Sequence, residues 1–283
     1  MEPNILFYDI THGRAKPIWE HAYKSLMLSC ELGNLSVPSH FIIEYDRDGN
    51  QFFEEYYNAV DDLYEKQTEI KAWPHTVEIC DSVTMQLFED PQFQMGKNDP
   101  IYGLLWKYYT GKRKITLSRN EQNIMSYLKF MFSTQDETLL KQRAFDFIVR
   151  PRYTLLPELV FQKVLELGAS EEEYYRLVEV MCDVIVTDIL HGKNDGRNTK
   201  HGSALFVEMY MTLPFSLIRG IWNIHAARTA YNITQSGKNV ILILGRMHNY
   251  AIRKMIDAVY VSDDLDEEIE CKTYQESSNC PIM

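Results

Sequence analysis

The stretch N-V-I-L-I-L-G, Asn239 to Gly245, constrains the fold more than any other part of the chain. Its apolar side chains follow one another without alternation. A strand with one wet face would alternate, so this run predicts a central parallel strand covered on both faces. Beyond it, Ile252, Met255, Ile256 and Val259 recur at helical spacing, and a strand running straight into an amphipathic helix belongs to an α/β architecture.

The start of the chain repeats that grammar. Asn4 to Asp9 (N-I-L-F-Y-D) is a short apolar, aromatic run that predicts a buried strand. Gly13 and Pro17 in T-H-G-R-A-K-P mark a turn and a helix start. Ile18, Ala22, Leu26 and Cys30, flanked by Trp19, Tyr23 and Met27, form one apolar face that should end near Gly33. Ser39 to Asp46 (S-H-F-I-I-E-Y-D) then predicts a second strand, with Glu44 near its end. A β-α-β unit of this kind closes with a right-handed crossover into a parallel sheet.

From about Gln51 to Leu190 the pattern is helical, with no strand alternation. Ser170 to Glu173 fits a capping box opening a helix whose Leu177, Met181, Val184 and Ile185 face inward until Gly192. Leu190 to His201 is a long polar loop, and Ile269 to Tyr274 (I-E-C-K-T-Y) predicts a last edge strand after the acidic D-D-L-D-E-E. The expected fold is therefore α/β, a mostly parallel central sheet with a large helical insertion: one domain over residues 1–283, with the insertion at 50–192.

Composition narrows the function classes. A net charge of -11 repels a phosphate backbone, so nucleic-acid binding would need a local basic patch. Lys107 to Arg119, with Tyr108 and Tyr109, is the best such stretch, and it reads as a solvated basic loop. Five scattered cysteines (Cys30, Cys80, Cys182, Cys271 and Cys280) without a C-x-x-C fit neither a disulfide framework nor a thiolate zinc site, which favours a reducing, cytoplasmic setting. The opening residues lack a basic region followed by an apolar one, so no signal peptide is expected. Ser203 to Trp222 is interrupted by Glu208, Pro214 and Arg219, which predicts a buried helix pair rather than a membrane span, with Glu208 and Arg219 as its ion pair. Walker, G-x-G-x-x-G, G-x-S-x-G and H-E-x-x-H motifs are all absent from the sequence.

Ligands of open parallel sheets bind outside the carboxyl ends of the strands. Three residues with acid/base or metal-ligand chemistry stand at or just beyond those ends: His12, Glu44 and His248. With 8 histidines and 13 glycines in 283 residues, a Gly-x-x-His arises by composition about 0.4 times, so G-R-M-H carries meaning only through its place between strand and helix. There Gly245 lets the chain bend, and Asn249 is expected to cap the helix. Taken singly, a histidine satisfied by local backbone or a carboxylate in a surface ion pair reads the same way. His75 and His225 lack partners in sequence, and His191 and His201 bracket the loop.

The pattern carried by D-I-T-H (Asp9 to His12), Trp19, F-I-I-E-Y-D (Phe41 to Asp46) and L-G-R-M-H (Leu244 to His248) resembles the TraB and Tiki group of metal-dependent hydrolases. It is more distantly similar to the erythromycin-esterase-like proteins, and also to uncharacterised chains of large DNA viruses. The resemblance covers the first 46 residues and the stretch from Gly196 to Tyr260. It implies a divalent metal, manganese, cobalt, iron or zinc, held by His12, Glu44 and His248 for hydrolysis of an amide or ester in a small-molecule or peptide substrate. It also implies that Arg197, in G-R-N, stabilises an oxyanion. Asp9 stands where the group has glycine, and a carboxylate there would orient His12 or mark a site that has lost its activity. In that second case the chain would be a non-catalytic scaffold, a virion component or an interaction module, with virion proteins or copies of itself as partners.

Overall fold

The computed structural model describes residues 5–10, 39–43, 76–79, 99–110, 116–191, 202–261 and 271–274. Five short strands, β1 (Ile5–Ile10), β2 (Ser39–Ile43), β3 (Thr76–Ile79), β4 (Asn239–Gly245) and β5 (Cys271–Tyr274), form one sheet in the order β3-β2-β4-β1-β5. Every pairing is parallel. β4 is bonded on both edges, to β2 and β1, and its Val240, Ile241, Leu242 and Leu244 side chains are fully buried beside Ile5, Phe7 and Ile42 of its neighbours. Apolar groups of this size contribute roughly 1.5–3 kcal/mol each when fully buried, so the unalternating run is explained by burial on both faces.

The helices are α1 (Pro100–Thr110), α2 (Arg119–Phe132), α3 (Glu137–Val149), α4 (Leu156–Glu166), α5 (Glu171–His191), α6 (Gly202–Gly220), α7 (Trp222–Gln235) and α8 (Arg246–Ile256), the last continued by a π-helical turn, Asp257–Val261. They correct the expected fold class. The described residues are mostly helical and the strands are few and short, so the chain is not a mostly parallel central sheet bearing a helical insertion. Two compact units form. One comprises residues 1–82, 229–253 and 260–283; the other comprises 83–228 and 254–259 and has a core of its own. The reason is that α5 and α6 bury broad faces against other helices, α5 against α3, α4 and α6, and α6 against α1, α2, α3 and α5.

Three local expectations also change. Thr76–Ile79 is a strand within a region whose pattern predicts helix alone; four residues are too few to show a period. Ser203 to Trp222 is not a helix pair, because Pro214 lies inside one helix, α6, and the break comes at Gly220. Glu208 and Arg219 therefore stand eleven positions apart on one helix, about 16 Å along its axis. Arg219 instead lies 5.7 Å over the Phe215 ring. A part-buried ion pair of this unit is Arg228 to Glu173, at 2.8 Å, with a second guanidinium bond of 3.1 Å to the Leu167 carbonyl. Ser170 does cap α5, accepting from the Glu173 N–H at 3.1 Å, and Leu177, Met181, Val184 and Ile185 are buried as the spacing predicts.

Asp99 organises the start of the helical unit. It is buried, precedes Pro100 at the first helical position, and accepts from the Tyr102 N–H at 2.8 Å. Its other oxygen takes the Thr154 hydroxyl at 2.7 Å and the Leu155 N–H at 3.0 Å. The Tyr153 carbonyl accepts from the Ile101 N–H at 3.2 Å. That geometry forces Tyr153 to a φ of 63°, a conformation that costs a side-chain-bearing residue about 1–3 kcal/mol and persists only where neighbours over-determine it. Burial pushes the Asp99 carboxyl above its ordinary range, against the pull of these donors.

A raised folded pKa means that the native state binds the Asp99 proton more tightly than the unfolded chain does. The carboxyl's contribution to stability is thus greatest below the unfolded value and declines as pH rises through the folded one. In urea titrations between about pH 3 and pH 8, the stability of the wild type minus that of Asp99→Asn should fall as pH rises. Asp99→Ala, which strands buried donors, should cost about 1–3 kcal/mol at low pH, a difference that narrows in the same way as pH rises. Glu121 behaves oppositely. The Ser118 N–H and the Lys107 ammonium, at 2.7 and 3.0 Å, hold it down at about 2. Its contribution is complete above the ordinary glutamate value and disappears as pH falls toward about 2; Glu121→Gln should flatten that acid limb.

Candidate functional site

The carboxyl edge of the sheet is where sequence places the chemistry. In register, Asp9 of β1 stands opposite Leu244 and Ile10 opposite Gly245, while Ile43, the last residue of β2, stands opposite Ile243. Three neighbouring strands thus run the same way and finish within two residues of one another. Because β1 and β2 flank β4, their ends lie about 10 Å apart, two inter-strand spacings.

At the centre of this edge β4 passes into α8 without a loop, since Gly245 ends the strand and Arg246 begins the helix. This corrects the capping role expected of Asn249, which is the fourth residue of α8. Its side-chain amide donates to the Leu244 carbonyl at 3.2 Å, and the residue is buried. The bond ties the first helical turn to the last residues of the strand. It also orients that turn: Arg246 and Tyr250 are exposed and His248 is half-buried. The turn carries no acidic side chain, so the partial positive charge of the helix start stands uncompensated by any carboxylate of that turn.

Of the expected site residues, the structure describes His248, on this turn, and Asp9, as backbone within β1. His12, Glu44 and Arg197 lie outside the described residues; Glu44 is the residue after β2 and His12 the second after β1. Among the described residues no group of three or more His, Cys, Asp or Glu is gathered to hold a metal. Arg246 and Tyr250 are the additions that sequence reasoning missed. Their signal was the i, i+4 spacing around the buried Asn249, readable only once the helix start is known.

Elsewhere, a shallow concavity of about 470 Å³ on the helical unit is lined by Phe145, Glu171, Glu172, Tyr175, Arg176 and Glu179, none of them an expected ligand. His191 ends α5 in a 3.2 Å contact with Glu137 and is exposed there, as a loop-bracketing histidine should be. The Cys182 thiol is free, and burial pushes its pKa far up, which rules it out as a nucleophile at ordinary pH. No helix among the described residues is long and apolar enough to cross a membrane.

No family model, curated protein or solved structure matches this chain.

The strand-to-helix junction makes a direct prediction. Asn249→Ala removes the donor to a buried carbonyl and should cost about 1–3 kcal/mol in urea denaturation, with faster amide exchange confined to the first turn of α8. Unchanged exchange in that turn would show that the bond does not hold it.

Proposed function

We propose that the chain is a metal-dependent hydrolase acting on an amide or ester bond, with its site at the carboxyl edge of the sheet. The observation that carries this reading is the parallel, adjacent arrangement of β2, β4 and β1 with their ends in register. It is the condition under which residues just beyond three distant segments share one locality. A gap of about 10 Å between flanking strands suits two ligand side chains with an ion between them, each donor about 2.0–2.2 Å from it.

In this reading His12, Glu44 and His248 are the ligands. Two imidazoles and one carboxylate suit manganese, cobalt, iron or zinc better than magnesium or calcium. A divalent ion held there would lower the pKa of a bound water and polarise the scissile carbonyl. Asp9, just before the end of β1, orients the His12 ring through its N–H, and Arg197 supplies positive charge to the developing oxyanion. Arg246, at the start of α8, is a second cation for that role. The substrate class is a small molecule or peptide, and the scattered cysteines favour a reducing compartment.

A second reading, a scaffold without turnover that serves as a virion component or associates with other chains or its own copies, is favoured by Asp9 standing in the glycine position of the resembled motif. Metal analysis and kinetics separate the two. Wild-type protein loaded with manganese, cobalt, iron or zinc should retain about one equivalent per chain through gel filtration and hydrolyse p-nitrophenyl esters. His12→Ala and His248→Ala should each lose both properties, while Asp9→Asn should weaken metal binding about 10–100-fold. Retention of stoichiometric metal by the His12→Ala, His248→Ala double variant would sink the ligand assignment. Stoichiometric metal without turnover of any ester or amide would favour the scaffold.

A further inference from the structure

The helical unit carries an aromatic and arginine surface that its own packing takes up only in part, Tyr127 also stacking on the buried Phe147 at 6.5 Å. On α2, Tyr127 and Phe130 are one turn apart, and Phe130 is 69% exposed. The Arg143 guanidinium lies 5.4 Å over the Phe130 ring, anchored by bonds of 3.0 and 3.2 Å to the Phe130 and Met131 carbonyls. At the other end, the Arg152 guanidinium lies 5.9 Å over the Tyr127 ring, and the Tyr153 ring meets Tyr127 edge-on at 5.6 Å. Among the described residues Arg152 makes no ion pair. These contacts make two clusters, Phe130 with Arg143 and Tyr127 with Arg152 and Tyr153, which the one-turn spacing of Tyr127 and Phe130 along α2 sets next to each other as a strip.

Two features set the strip apart from ordinary surface. Tyr153 is 42% exposed and stands at the positive φ of 63°, the only such non-glycine among the described residues. The conformation that the Asp99 clasp imposes on this backbone leaves the ring facing solvent, and backbone strain of this kind clusters at functional positions. The charge is also local: a chain of net charge -11 sets Arg143, Arg150 and Arg152 against Asp146 alone between positions 143 and 152. Guanidinium groups lying over rings offer N–H edges in a fork that matches carboxylates, and exposed rings beside arginine are the composition of interface hot spots.

We infer that the strip formed by Tyr127, Phe130, Arg143, Arg152 and Tyr153 is a docking surface for an acidic peptide segment of a partner protein. Carboxylates of the segment pair with Arg152 and Arg143, and an apolar side chain seats against Phe130 and Tyr153. The charge balance selects this occupant over a nucleic acid. Two or three arginines on a strongly acidic chain neutralise a few carboxylates, but they do not track a polyphosphate backbone.

The surface is tested by selecting a phage-displayed library of random dodecapeptides on the full chain, then measuring a fluorescein-labelled copy of the most enriched peptide by anisotropy. Enriched sequences should combine glutamate or aspartate with an aromatic or large aliphatic residue. Binding should weaken with salt, and Arg152→Glu with Phe130→Ala, both at exposed positions, should weaken it by at least about tenfold while circular dichroism stays unchanged. Lysine→alanine changes outside the strip should leave it unaltered. Enrichment without acidic residues, or binding that survives the double variant, overturns the inference. So does an oligothymidylate that binds with the same dependence on Arg152 and Phe130 where acidic peptides do not.

Discussion

The sheet depends on one strand being hydrogen-bonded along both edges. β4 supplies N–H and C=O groups to β1 on one side and β2 on the other, and in return its apolar side chains are removed from water. A strand so placed tolerates a buried polar side chain only where that group finds a partner. The apolar run from Val240 to Leu244 is the residue-level form of that rule. The same pairing makes the carboxyl edge, because parallel strands locked in register must finish together, and Asn249 then holds the first turn of α8 against the strand end.

In the helical unit the corresponding role falls to buried polar groups. Asp99 satisfies the start of α1 and the loop before α4 with one carboxylate. Arg228 does likewise for Glu173, near the start of α5, and the carbonyl of Leu167 beyond α4. Each joins segments more than fifty positions apart, and Asp99 and Arg228 are themselves buried. Removing one partner from such a group costs more than making it gained, since the partner left behind stays buried. The strained Tyr153 is a consequence: its backbone is set by what Asp99 and α1 require of the loop, and the side chain is presented outward as a result.

Elements with strong local signals were legible from the chain alone. β4 was readable because five apolar residues in succession admit few alternatives, and α5 because Ser170 and the inward face from Leu177 to Ile185 each signal a helix independently. β3 was not, since Thr76 to Ile79 is too short for a period. Pro214 suggested a break that α6 does not make. A proline inside a helix loses one hydrogen bond and clashes with the preceding turn, but the buried side chains of α6 on both sides of it, including Met211, Leu213, Leu217 and Ile218, keep the helix together. Of the candidate site, the strand ends and the half-buried His248 are on view, and the other expected ligands follow directly in sequence from strands whose ends are described.

Period, capping and apolar runs are local properties, and the amino-acid order determined them: the strands at Ile5 and Asn239, the helix behind Ser170, and the placing of histidines and a glutamate beside strand ends. Tertiary structure decided which segments became neighbours. It set β4 between β1 and β2, paired Arg228 with Glu173, gave the helices a core of their own, and bent Tyr153 into a left-handed conformation. The physical reason is that a contact between distant segments is chosen by competition for burial and for hydrogen-bond partners across the whole chain, and no window of sequence contains both competitors.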